Sequence, residues 1–260
     1  MKRRIIALAV IMVMIALTFG AGACFAASSS TKTIYVISSM TVKNSSSNYE
    51  ETIKFKYNDN GLLKSYKGND YHKGTFKYSG KKLKSADIQT GDGAPCTYKY
   101  TWKDSRITKA YDSTNYITTK FKYNKKDLIT KITATGDYST STLFEMAYKF
   151  DSKKRIKSEA IGVTEYKYKY NSKGCLTSFK TVSSNYTTEY KYKNTVKNGR
   201  ITKIVRSLSS FPENKLTVTV KYKKIKVPSS YKTLVKKQQN QILMDQGYMV
   251  RVAYFPLGTL

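Results

Sequence analysis

The residues whose types and spacing could do chemistry here are lysines and aromatics. Lys56, Lys77, Lys99, Lys122, Lys149, Lys169, Lys191 and Lys221 each occupy the centre of a short triplet, as in Phe55-Lys56-Tyr57 and Tyr168-Lys169-Tyr170. A ladder of ammonium groups at a recurring strand position is suited to binding a polyanion at many points, with avidity from repetition rather than from one pocket. The bland counterpart is a solvated sheet face, kept soluble by lysine. The single tryptophan, Trp102, is the residue best suited to stack on a sugar ring, and its sequence position reads as a turn. Catalytic patterns are missing. His72 is the one histidine, Glu50 and Glu51 are adjacent and so face opposite sides of a strand, and there is no Gly-rich phosphate loop. Nothing in the sequence calls for a metal or a cofactor, and the chain reads as a non-enzyme.

These lysines belong to a chain of 260 residues with 47 Lys+Arg against 17 Asp+Glu, a formal charge of +30. Such a balance attracts polyanions and repels itself. With 13% aromatics and 23 tyrosines, the composition suits a folded chain rather than a basic tail.

The elements that position the lysines come from a repeat. Further copies start at Phe76, Tyr98, Phe121, Tyr148 and Tyr190, with Val220-Lys221-Tyr222 a degenerate eighth. The second aromatics, from Tyr57 through Tyr78, Tyr100, Tyr123, Phe150, Tyr170 and Tyr192, recur about every 22 residues, the length of two short strands and a turn. Each triplet alternates with period two, turn residues such as Asn58-Asp59-Asn60-Gly61 follow, and a second strand opens at Leu63, Leu83, Ile107, Ile129, Ile156, Leu176 or Ile201. Two longer steps place surface loops at Thr133–Glu145 and Ser207–Lys215. The fold class is therefore all-β. It is an antiparallel β-meander array of two-strand repeats, either a twisted open sheet or a curled, barrel-like one, with a C-terminal amphipathic helix. The aromatics form its core or, if exposed, a platform for neutral glycans.

At these positions the chain resembles the YD repeats of bacterial RHS-type surface proteins, in a short form without a toxin or autocleavage core. Tyr168-Lys-Tyr-Asn-Ser-Lys-Gly-Cys-Leu, Tyr148-Lys149-Phe150-Asp151 and Asn198-Gly199-Arg200-Ile201 carry the resemblance. The usual Asp is often Asn (Asn58, Asn124, Asn171). The aromatic pairs and Asn/Asp-Gly turns are also similar, more weakly, to choline- and glucan-binding cell-wall repeats.

Four segments follow. Residues 1–26 read as a signal peptide, with Lys2, Arg3 and Arg4 before an apolar run; Ala21-Gly22-Ala23-Cys24 also resembles a lipobox. Residues 27–48 form a Ser-rich segment with a first strand or pair, 49–228 the repeat domain, and 229–260 a capping helix and a final strand from Tyr248 to Phe255. In the last segment Ser229 or Ser230 is placed to cap the helix and Gly247 to end it. Lys232, Lys236 and Lys237 would give that helix a basic face for an anionic membrane if it did not serve as a cap. In an open sheet Cys96 and Cys175 lie about 34 Å apart, far beyond disulfide reach, so they read as free thiols.

The sequence thus points to an extracellular, secreted or envelope-associated bacterial repeat protein. Its expected partner is an anionic cell-wall polymer or polysaccharide. A protein partner is an alternative, nucleic acid would bind only non-specifically, and a membrane only through lipidation at Cys24.

Overall fold

The computed structural model describes residues 30–250 other than 71, 91–93, 139 and 140. The leader, Cys24 and most of the expected final strand lie outside the described residues. The chain divides into a unit Met1–Thr31 and a unit from Lys32 onwards. The strands are β1 (Thr31–Asn44), β2 (Glu50–Tyr57), β3 (Leu63–Lys67), β4 (His72–Ser79), β5 (Lys82–Thr90), β6 (Cys96–Lys103), β7 (Arg106–Asp112) and β8 (Ile117–Tyr123). They continue as β9 (Ile129–Gly136), β10 (Thr142–Phe150), β11 (Ile156–Ile161), β12 (Thr164–Tyr170), β13 (Leu176–Val182), β14 (Thr187–Lys197), β15 (Arg200–Leu208) and β16 (Phe211–Pro228). Each strand pairs with the next, and β1 pairs with β16 to close the meander into one barrel. The sheet is thus closed, not open. The first segment contributes one long strand, β1, at the closing seam.

Closure follows from a repeated local device. In all seven repeat hairpins, from β2–β3 to β14–β15, the register slips at one equivalent place, for example between Lys56 and Tyr57 or Lys169 and Tyr170. A bulge bends its strand and increases the local twist, so seven in phase curl the sheet. The turn beside the bulge is fixed by an Asn or Asp oxygen. Asn58 Oδ1 accepts from the N–H groups of Asn60 and Leu62, Asn124 Oδ1 from Lys126 and Leu128, and Asp151 Oδ1 from Lys153 and Arg155. Amide and carboxylate offer the same acceptor, which is why the two residue types interchange along the repeat.

An inward aromatic ties most hairpins to the preceding one, from the position just after the bulge except at Tyr222; Phe150, after the fifth bulge, has no donor. Tyr78 donates to Leu63 O at 3.0 Å, Tyr123 to Ile107 O at 2.8 Å, Tyr170 to Ile156 O at 3.0 Å and Tyr222 to Ile201 O at 2.9 Å. Trp102 Nε1 donates to Leu83 O at 2.7 Å, so the tryptophan lies in β6 and points toward the core rather than marking a turn. Its bulge register makes Trp102, not Tyr100, the third repeat's equivalent of Tyr57.

The triplet aromatics line the interior. Phe55, Phe76, Phe121, Tyr148, Tyr168 and Tyr192 are buried, and Tyr57, Tyr78, Tyr100, Tyr123, Phe150 and Tyr170 pack against them. Both expected loops are shorter than the sequence implied. β9 and β10 leave only residues 137–141 between them, and β15 and β16 meet at Ser209–Ser210. In the first of these loops Thr133, Thr135 and Thr142 are β-branched and extend the strands. Cys96 and Cys175 are free thiols.

Helix α1 (Lys232–Ile242) covers the end of the barrel where the bulged hairpins turn. Val235 packs with Leu62 and Val227, and Ile242 joins the main core. Its apolar stripe is narrow because two buried positions are glutamines, Gln238 and Gln241. Gln238 Oε1 accepts from Leu63 N at 2.9 Å, and neighbouring Gln239 Oε1 accepts from Ile37 N at 2.7 Å. They satisfy backbone donors on the rim that the ladder leaves unpaired. No side chain caps the start of α1, which follows a 3-10 turn, Ser229–Tyr231, entered from Pro228. The helix passes into a wider turn, Leu243–Gly247, and Tyr248 to Val250 are not in a strand.

Removing one inter-hairpin donor leaves a carbonyl short of its partner, so Tyr123→Phe should lower unfolding free energy by about 1–2 kcal/mol in urea titrations. Burial also pushes the Tyr123 hydroxyl up to about 12, although Arg106 opposes the rise. A raised tyrosine pKa contributes stability that is complete below the ordinary value of about 10 and disappears as pH rises through the folded value. Absorbance at 295 nm should show a first group of tyrosines ionising near pH 10. The buried set should stay protonated well above that and ionise only together with loss of the β circular-dichroism signal.

Candidate functional site

Because the aromatics face inward, the alternating residues face out. All eight ladder lysines are exposed, and none makes an ion pair among the described residues. They do not form a single straight row. Lys77 and Lys99 share a register line through Ser85, and Lys169 and Lys191 share one through Ser178, which places each pair roughly 9–10 Å apart at normal strand spacing. Elsewhere the register steps along the strands, as the stagger of a barrel of tilted strands requires. Aligned by the bulge, the third and seventh repeats carry Thr101 and Thr195 at the lysine position, with Lys99 two and Lys191 four residues earlier.

The densest basic feature includes lysines outside that ladder. Lys54 on β2 pairs with Lys67 on β3, and Lys67 pairs in turn with Lys73 on β4. Three ammonium stems therefore stand side by side on adjacent strands, with Cβ atoms about 5 Å apart. Beside them the Lys56 line continues through Ser65, Thr75 and Asp87. The small side chains leave an outer groove of about 720 Å³, bordered by Lys54, Lys56, Lys67 and Lys73. Asp87, the acid in the groove, is engaged by Thr75 Oγ1 at 3.3 Å and Thr97 Oγ1 at 2.9 Å. Like charges directly opposite are destabilising, so this line has an unmet demand for counter-charge. A period read from the aromatic triplets passes over Lys67 and Lys73. Strand register, which the sequence does not print, brings them to Lys54.

His72 does find a partner, though not a nucleophile. Its Nδ1 lies 3.2 Å from Glu51 Oε1, while Tyr49 donates to Glu51 Oε2 at 2.7 Å and Asn69 N to Oε1 at 2.9 Å. Burial works to raise the Glu51 pKa. The hydrogen bonds from Asn69, Tyr49 and His72 outweigh it and hold the carboxyl below its ordinary value. This is a pin between two loops. Glu50 points to solvent and pairs with Lys43 at 2.8 Å. No group of three or more metal-ligating side chains occurs among the described residues.

No family model and no curated protein matches this chain. Among solved structures, a porin-like protein from Bacteroides uniformis matches at TM-score 0.51 and 15% identity, over 72% of this chain and 98% of its own. A porin-like protein from Bacteroides vulgatus matches at TM-score 0.45 and 10% identity, over 72% and 99%. The TcdB2-TccC3 chain crystallised with Cdc42 matches at TM-score 0.35 and 15% identity. That match covers 67% of this chain and spans about a tenth of the other. The first likeness is one of fold alone, a closed antiparallel barrel.

If the lysine line carries uncompensated repulsion, Lys67→Gln should stabilise the barrel by roughly 0.5 kcal/mol at low ionic strength. The gain should fade in about 0.5 M salt, where screening removes the repulsion. Denaturant midpoints at both ionic strengths measure it.

Proposed function

We propose that this is an exported, non-enzymatic barrel that binds anionic polymers of a cell envelope, such as teichoic acids or acidic polysaccharides, on its lysine-covered outer face. The observation that carries the reading is the in-register line Lys54–Lys67–Lys73 beside Lys56, four lysines outside any ion pair among the described residues, in an open groove whose one lining acid is Asp87. A chain of phosphates or uronates laid along the groove would supply the missing counter-charge. The ladder lysines around the barrel would extend the contact. Export rests on the leader pattern of residues 1–26, and the bacterial-surface setting on the YD-repeat resemblance.

A transmembrane pore, the setting that the porin-like neighbours' names bring to mind, needs the opposite distribution. A membrane barrel turns an apolar band to lipid and keeps a polar lumen. Here exposed lysines occupy the outer face, while Phe55, Phe121, Tyr148 and Tyr168 fill the interior. The same inward orientation removes the strand aromatics and Trp102 from any neutral-glycan platform, since the indole nitrogen is engaged by Leu83 O.

The test is retention of residues 27–260 on purified Gram-positive cell walls, with and without teichoic acid, from about 50 to 500 mM salt. We expect most of the retention to require the anionic polymer and to fall steeply with salt. The triple variant Lys54→Gln, Lys67→Gln, Lys73→Gln should bind about tenfold more weakly while staying folded. Retention indifferent to salt and to the triple variant would overturn the reading in favour of a protein-interaction module.

A further inference from the structure

The two ends of the barrel differ in chemistry. Seven connections, 58–62, 80–81, 104–105, 124–128, 151–155, 171–175 and 198–199, turn at the end covered by α1 and contain seven Lys or Arg residues. Eight connections, 45–49, 68–71, 91–95, 113–116, 137–141, 162–163, 183–186 and 209–210, turn at the other end and contain none, in a chain with 47. They are built mainly from Ser, Thr, Asn, Gly and Tyr, with three aspartates, Asp70, Asp92 and Asp137. Ser-Asn-Tyr or Thr-Asn-Tyr closes three of them, at Tyr49, Tyr116 and Tyr186. Tyrosine beside small polar residues is the composition of recognition loops, where rigid rings give contact area and amides and hydroxyls give hydrogen bonds.

One pair of these loops forms a built platform. Tyr116 and Tyr138, from adjacent connections, meet edge to face with ring centroids 5.6 Å apart, and they are 47% and 86% exposed. Asp137 N donates to Tyr116 O at 2.9 Å, and Tyr111 donates to Asp137 Oδ2 at 2.8 Å, which fixes one loop to the other. Tyr116 holds φ at 54°, a left-handed conformation unfavourable for a bulky side chain. A glycine or asparagine would suit that turn better, so the ring is kept against the backbone's preference. Strain of this kind clusters at ligand-binding positions.

We infer that the Tyr116–Tyr138 platform binds a neutral oligosaccharide, stacking a pyranose ring on the open Tyr138 face with Tyr116 beside it. The absence of lysine and arginine from these loops speaks against an anionic ligand. Exposed apolar side chains also occur at this end, at Leu143, Val163 and Phe211, and a protein partner is the outcome that loss to protease would reveal. This site is separate from the lysine groove and does not depend on it.

The test is calorimetric titration of residues 27–260 with cellohexaose, maltohexaose and chitohexaose at about 50 and 500 mM salt. We expect saturable binding of at least one of them, unchanged by salt. Tyr138→Ala should weaken it about fivefold. Tyr116→Gly should weaken it similarly while raising the denaturation midpoint, two opposite movements that a merely structural residue would not produce. Both variants should keep salt-sensitive retention on teichoic acid, so failure here is distinguishable from failure of the groove. On whole cell walls at about 500 mM salt, residual retention should be competed away by the hexaose that binds in calorimetry and survive protease. Absence of binding to all three sugars, unchanged binding by both variants, or loss to protease alone would overturn the inference.

Discussion

The structure depends on a hydrogen bond that most repeats make, from the polar tip of an inward aromatic to a backbone carbonyl of the hairpin before it; Phe150, in the fifth repeat, holds the position by packing alone. Tyr78, Trp102, Tyr123, Tyr170 and Tyr222 all make it, with different side chains reaching the same kind of acceptor. In the seventh repeat Asn194 Nδ2 takes over and donates to Leu176 O at 2.8 Å. The bulge at each hairpin curls the sheet, and this bond sets how each hairpin packs against its predecessor. An aromatic at this position points inward, and the residue beside it, lysine in five of the seven repeats, points outward.

That partition determines what the barrel offers to its surroundings. The interior is occupied by the aromatic core and covered at one end by α1, whose Gln238 and Gln239 accept from backbone N–H groups of the rim. Chemistry with a partner is left to the outer face and to the open set of loops. On the outer face lysines accumulate because every repeat contributes an outward position. At the end away from α1 the lysine-free loops are released from the repeat's demands, and tyrosines appear there in exposed and, at Tyr116, left-handed positions.

Much of the architecture was legible in the sequence because the repeat sets both period and facing. The second strands open at or within one residue of Leu63, Leu83, Ile107, Ile129, Ile156, Leu176 and Ile201, as the pattern indicates. Closure was not legible, since it is the sum of seven small bends and a seam between β1 and β16, the strands most distant in sequence. The free state of Cys96 and Cys175 outlasts the open-sheet argument for it. In a ring of sixteen, β6 and β13 are seven strands apart one way and nine the other. Trp102 was misplaced because the triplet Tyr98-Lys99-Tyr100 mimics the repeat two residues early, and only the bulge identifies the true register. The lysine line was hidden for a similar reason. Lys54, Lys67 and Lys73 share no sequence period and meet only through strand pairing.

The most direct measurement of the central claim is lysine footprinting. Residues 27–260 would be acetylated lightly, with and without purified teichoic acid, and the modified lysines quantified by mass spectrometry. The account expects protection strongest at Lys54, Lys56, Lys67 and Lys73, weaker at ladder lysines such as Lys77 and Lys99, and reversed by high salt. Uniform protection over the whole surface, or protection confined to Lys232, Lys236 and Lys237 on α1, would contradict it.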